Sequence, residues 1–242
     1  MGLEGKVALV TGASRGLGLA IANALGAEGA AVACVARAGD ELDGAVRALR
    51  AGGGTAASFA ADVTREAEVA AAVAGAVRAF GRLDIVVLNA GTWRGAALRD
   101  TTEADWDFLL DLNLKGAFLT LKHAIPHLIA SAGHVIGIGS FGALVGSPGS
   151  AAYAASKWGL RGLLESAALE LKPHRIRVCL VHPHNMNSAG RDIAPGTPER
   201  DRNLETADVA RLVSFVCTAP DYVAIGSVTI WPLAAGVAGT TA

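Results

Sequence analysis

Tyr153 and Lys157 stand four residues apart in the run SAAYAASKWGL, where helical spacing places both side chains on one face. A tyrosine phenol has a pKa of about 10 and is a poor base at neutral pH. A neighbouring ammonium favours the phenolate, and bringing the phenol towards neutrality takes about 4 kcal/mol of such preference. The pair could then pass a proton to and from a substrate oxygen. Tyr and Lys at this spacing are common in helices, so the neighbours decide. Ser140 follows the apolar run His134–Ile138, Asn89-Ala90-Gly91 follows Ile85–Leu88, and Asn113 lies inside the helical pattern 103–129.

A second constellation lies near the N-terminus, in LVTGASRGLGLAIANAL. Gly12, Gly16 and Gly18 read G-x-x-x-G-x-G between an apolar strand and a helix pattern. Unpaired N–H groups and the positive dipole end of a helix N-terminus suit a pyrophosphate, and glycines let the backbone approach it. A free ribose 2′-hydroxyl is usually met by Asp or Glu about 20 residues further on. Here the second strand ends Val35-Ala36-Arg37, a cation in place of a carboxylate, and Arg15 inside the turn could reach the same area. Two guanidiniums suit a 2′-phosphate, which favours NADP(H) over NAD(H).

These residues need a scaffold that brings the ends of several strands together. Short apolar runs recur at Val7–Thr11, Ala31–Ala36, 58–61, Ile85–Leu88, His134–Ile138, 176–181 and 228–231. Helical patterns fall between most of them, at 17–28, 41–50, Glu66–Phe80, 103–129, Ala151–Leu171 and 207–218. This alternation predicts an α/β fold, a doubly wound parallel sheet with helices on both faces and ligands at the carboxyl ends of the strands. Gly52-Gly53-Gly54 is too short to separate domains, so residues 1–242 read as one domain.

Composition limits what else the chain could be. With 242 residues and 52% hydrophobic content it can bury a continuous core. Twenty-one basic residues against 22 acidic ones suggest no nucleic-acid or polybasic membrane surface. Charge precedes the first strand where a signal peptide would be apolar, and the longest charge-free stretch is broken by glycines, serines and Pro148. A cytoplasmic protein is expected. Cys34, Cys179 and Cys217 have no metal or redox spacing and read as reduced and buried. His123 and His127 share a helix face but find no third ligand, so no metal is expected. Trp93, Trp106, Trp158 and Trp231 are scattered, and packing is the expectation for each.

Over essentially its whole length the chain resembles the short-chain dehydrogenase/reductase family. The resemblance rests on T-G-A-S-R-G-L-G from Thr11, Asp62-Val63, N-A-G from Asn89, then Asn113, Ser140 and Y-x-x-x-K from Tyr153. It implies a Rossmann-type sheet of seven parallel strands and hydride transfer between a nicotinamide and a carbonyl or secondary alcohol. Reduction of 3-oxoacyl thioesters is one candidate among many. Tyr153 is then the general acid/base and Ser140 orients the substrate oxygen. Lys157 tunes the tyrosine and binds the nicotinamide ribose, and Asn113 supports a proton relay. The same resemblance implies cofactor contacts from Gly12, Ser14, Arg15, Gly16, Leu17 and Gly18 of the turn. Further contacts are implied from Arg37, Asp62, Val63, Asn89, Ala90, Gly91, Tyr153, Lys157 and Pro183. A homodimer or homotetramer is expected, with helices 103–129 and Ala151–Leu171 pairing between subunits.

The chain departs from the family where many members have Pro-Gly after the sixth strand. It reads Pro183-His184-Asn185-Met186-Asn187-Ser188, so His184 becomes a candidate substrate contact, provided its ring faces inward. Stretch 189–203, where the family's substrate lid forms, is short and rich in charge, Gly and Pro. A rival reading is a cofactor-binding regulator without turnover, against which the intact Asn-Ser-Tyr-Lys set argues. An enoyl reductase would have a longer Tyr–Lys spacing.

Overall fold

Val, Ala and Leu fill the first strand, β1 (Val7–Thr11), and all five of its residues are buried. A strand apolar on both faces must be covered on both. It is followed in turn by α1 (Gly16–Ala27), β2 (Ala31–Ala36), α2 (Asp40–Ala51), β3 (Ala56–Ala60), α3 (Glu66–Phe80) and β4 (Ile85–Leu88). The second half contains α4 (Glu103–Leu110), α5 (Gly116–Ser131), β5 (His134–Ile138), α6 (Ala151–Leu171) and β6 (Arg177–Pro183). After β7 (Met186–Asn187) and β8 (Leu204–Glu205) come α7 (Thr206–Thr218) and β9 (Ser227–Ile230). The structure, a computed structural model, describes residues 2–187 and 197–234; part of stretch 189–203 therefore lies outside the described residues.

Seven strands form one sheet in the order β3-β2-β1-β4-β5-β6-β9, every neighbouring pair parallel. Strand order reverses between β1 and β4, which opens a crevice at their carboxyl ends. One face packs Val10, Ile21, Leu25, Leu49, Val213 and their neighbours under α1, α2 and α7. The other packs Leu9, Val73, Leu128, Leu160 and Leu164 under α3, α5 and α6. The architecture is the expected doubly wound, Rossmann-like sheet. Among the described residues no helix is long and apolar enough to cross a membrane.

Two expectations are corrected, and one element is new. The single helix over 103–129 is two helices joined by a π-turn at Asp111–Lys115, which contains Asn113. A π-turn inserts one extra residue and rotates the helix beyond it, and such turns are frequent at functional sites. The short parallel pair β7–β8 is additional. The four tryptophans are exposed rather than packed, because each lies on an outward face or loop. Trp158, for example, is 48% exposed and has the Arg161 guanidinium 5.7 Å from its ring centroid.

Candidate active site

The crevice is closed at its base by Asn89. Its Nδ2 donates to the Thr11 carbonyl at 2.8 Å, and Thr11 Oγ1 accepts from the N–H groups of Asn89 and Ala90. Those bonds lock the end of β4 to the glycine turn after β1. Gly12 has φ 68°, a left-handed conformation that favours glycine, and Gly16 has φ 57°. A Cβ on Gly18 would collide with the Gly12 carbonyl oxygen. The turn therefore packs backbone on backbone, and α1 begins with no side-chain cap and no acidic residue in its first turn. Leu17 points into the core, while Ser14 is half-buried at the turn.

At the outer end of the crevice, Arg37 follows β2 and Asp62 follows β3. Thr64 donates its N–H (3.0 Å) and its hydroxyl (2.8 Å) to Asp62 Oδ1. These bonds, with Arg65 and Arg37 nearby, hold the Asp62 carboxyl below its usual pKa. Val63 is buried against Gly116, just past the π-turn. Arg37 is exposed, and exposed Arg15 pairs with Glu41 on α2 at 3.8 Å, an acidic neighbour that spacing alone does not reveal.

At the inner end, the candidate catalytic residues come together from three elements. Asn113 is 1% exposed: its Oδ1 accepts from the Thr92 N–H (2.8 Å), and its Nδ2 donates to the Thr92 carbonyl and to Ser156 Oγ, both at 3.0 Å. Ser156 in turn donates to the Tyr153 carbonyl at 2.7 Å. The Asn113 amide thus ties the segment after β4 to α6, and both its N–H bonds are used. Thr92 and Ser156 were missed in the sequence, although Ser156 was legible as a polar residue on the buried face of α6.

Lys157 is buried, and its Nζ donates to the Ile138 carbonyl at 2.8 Å, two residues before Ser140. Gly91 lies against it; a Cβ there would stand 2.9 Å from Asn113 Oδ1 and 3.6 Å from Lys157 Nζ. Ser140 Oγ accepts from the Gly142 N–H at 3.0 Å, and it lies beside the Tyr153 ring: a Cβ on Gly142 would stand 3.4 Å from both. Burial raises the Tyr153 phenol above its ordinary value, with Ser140 opposing. The direction is opposite to that expected from the lysine alone. Desolvation is the larger cause for the phenol, and it also lowers the Lys157 pKa to about 8.

Pro183 ends β6 opposite Ile230, and the His184 ring turns inward onto Phe141, with centroids 4.8 Å apart. The residue after Ser140 and the residue after Pro183 thus share a wall, and burial lowers the His184 pKa. The three cysteines are free and buried, with thiols pushed up to about 11 or 12. His123 meets Glu66 on the surface, and among the described residues no group of three or more His, Cys, Asp or Glu could hold a metal.

Comparison with known proteins identifies the family and the fold. The family model described as short chain dehydrogenase matches residues 6–194. Trans-4-hydroxycyclohexanecarboxylate dehydrogenase of Sinomonas cyclohexanicum is 36% identical over 222 residues, covering 88% of this chain and 86% of that protein. A 3-alpha-(or 20-beta)-hydroxysteroid dehydrogenase of Mycobacterium bovis is 38% identical over 221 residues, covering 89% and 84%. Among solved structures, a metagenomic short-chain oxidoreductase in complex with NADP superimposes with TM-score 0.83 at 40% identity, covering 95% of this chain and 98% of that one.

Proposed function

The chain belongs to the short-chain dehydrogenase family, and from that premise we propose that it interconverts a secondary alcohol and a ketone with NADP(H). The observation that carries the reading is that Ser140 Oγ and the Tyr153 ring flank the same point, each 3.4 Å from where a Cβ on Gly142 would stand, with the buried Lys157 one helical turn behind. The glycine turn fits a dinucleotide: backbone fills it where side chains would collide, and the uncapped start of α1 adds a positive dipole end. When bound, the nicotinamide supplies or accepts the hydride.

The chain's own residues do the rest. Negative charge developing on a carbonyl oxygen needs a donor and then a proton. Ser140 donates to that oxygen and holds it in place. Tyr153, kept protonated by burial, delivers the proton. Lys157 supplies positive charge behind the phenol and reaches the nicotinamide ribose. Asn113 holds the loop after β4 in register with α6 and supports the relay that reprotonates Tyr153. Gly12, Ser14, Arg15, Gly16, Gly18, Asp62, Asn89, Ala90, Gly91 and Pro183 would line the cofactor, with Leu17 and Val63 contributing through their main chain. Arg37 and Arg15 favour a 2′-phosphate, and the NADP-bound neighbour supports that choice. His184 contacts the substrate.

Both named relatives act on ring-bearing alcohols, which supports an alicyclic substrate. Free buried cysteines support a reducing compartment such as the cytoplasm. Exposed Trp106 and Phe108 on α4, with Trp158 and Leu169 on α6, support pairing of subunits through those helices. The test is reduction of cyclohexanone, its 4-carboxylate and a panel of open-chain ketones with NADPH and with NADH. Turnover of a cyclic ketone with NADPH is expected. Tight NADPH binding with no turnover across the panel would make the protein a cofactor-binding regulator instead.

A further inference from the structure

The turn that carries Ser140 is held from behind by a residue the mechanism leaves unused. His182 lies near the end of β6, in register with Thr229 of β9, and is 1% exposed. Its Nδ1 stands 3.1 Å from the main-chain carbonyl oxygen of Ser140. A carbonyl only accepts, so Nδ1 carries the proton and donates, which selects one tautomer. Gly139 makes the approach possible, since a Cβ there would stand 2.6 Å from Nδ1 and 2.9 Å from Cε1.

Three successive residues of the turn are therefore anchored. Lys157 holds the Ile138 carbonyl, the Val181 carbonyl holds the Gly139 N–H at 2.8 Å, and His182 holds the Ser140 carbonyl. The first and second bonds fix the strand end; the third fixes the peptide from which the Ser140 side chain projects. We propose that His182 is a positioning residue, anchoring the main chain that aims the Ser140 hydroxyl at the substrate oxygen. The inference rests on the reading of Ser140 as the group that orients that oxygen. A donor aimed at developing charge is effective only when held in place, and a small misplacement lowers turnover more than ground-state binding.

Two measurements test it. Nitrogen-15 spectra of the histidine-labelled protein without ligands should show His182 as the Nδ1–H tautomer; an Nε2–H tautomer would overturn the anchor whatever the enzyme does. The second compares His182→Leu, His182→Asn, His182→Gln and Ser140→Ala, alone and combined, in cyclohexanone reduction with NADPH. His182→Leu should lower kcat about tenfold, the scale of one hydrogen bond, with NADPH affinity unchanged. His182→Asn puts an amide nitrogen where Nδ1 was and should recover most of the rate, whereas His182→Gln places it elsewhere and should not. In the Ser140→Ala background His182→Leu should cost nothing more.

Losses that multiply in the double variant would overturn the proposal and leave His182 a packing residue. An Asn variant as slow as the Gln variant would do the same, and that comparison stands even if the Leu variant fails to fold. Full turnover by Ser140→Ala would overturn the role of Ser140 itself while leaving the tautomer measurement to report on the bond.

Discussion

The Lys157 ammonium lies 5.9 Å from the centroid of the Tyr153 ring, and burial moves the two groups in opposite directions. The phenol rises above its ordinary value and the ammonium falls to about 8. As pH rises, the lysine therefore loses its proton first while the tyrosine keeps its own. Ketone reduction should fall above a pH of about 8 along a one-proton limb belonging to Lys157. A kcat/KM profile checks this; a rate that holds flat until the phenol titrates above its ordinary value of about 10 would contradict it.

In the proposed reading, cofactor choice rests on the outer rim, where Arg37 and Arg15 stand. Arg37→Asp should weaken NADPH binding by about tenfold to a hundredfold, the scale of a hydrogen bond to a charged group, and leave NADH far less affected. Glu41→Gln should do the reverse on a smaller scale. It releases Arg15 from an exposed ion pair, and such pairs contribute little, so a gain of up to about fivefold for NADPH is expected. Fluorescence titration of both cofactors against both variants decides the matter.

Much of this arrangement was legible in the sequence. Helix Glu66–Phe80 is marked by acidic residues in its first turn and by left-handed Gly81 after its last, and it forms with those bounds. Tyr153 and Lys157 share a face because four residues make about one helical turn. The π-turn at Asn113 was not legible. DLNLK holds ordinary helix residues, and its register is coupled to bonds with Thr92 and Ser156, 21 and 43 residues away. The direction of the Tyr153 shift was hidden for a similar reason. Spacing reveals a neighbouring lysine, but desolvation depends on everything packed around the ring. Arg15 with Glu41 and His182 with Ser140 are likewise contacts made only by the folded sheet.

His184 replaces a residue that is often glycine in the family, and its ring rests on Phe141. His184→Gly should leave NADPH affinity within about threefold, change the order of preference among ketones, and remove an acidic limb from the pH–rate profile. Because burial lowers its pKa, that limb should lie below the ordinary histidine value of about 6.5. Identical ketone preferences in the two proteins would remove His184 from the substrate wall.

Acid stability should depend on His134, at the start of β5. It is 2% exposed, and neither ring nitrogen has a hydrogen-bond partner among the described residues. Burial, with Arg177 nearby, lowers its pKa to about 3 from the ordinary 6.5. The unfolded chain therefore binds a proton between those values that the folded protein refuses. The neutral ring's contribution is intact above a pH of about 6.5 and is lost as pH falls, by up to about 1.4 kcal/mol per pH unit. At a pH of about 4.5 this amounts to roughly 2–3 kcal/mol. Urea unfolding of His134→Val should show that acid sensitivity reduced by this amount; an unchanged pH dependence would place its source elsewhere.

Delivery of a proton from the Tyr153 phenol to a substrate oxygen held by Ser140 is the step on which the proposed activity depends. Its most direct test is Tyr153→Phe, with cyclohexanone reduction and NADPH affinity measured on the same preparation. Turnover should fall by at least about a hundredfold, the contribution expected of a positioned general acid, while the NADPH dissociation constant stays within about threefold. Wild-type turnover in that variant would contradict the mechanism.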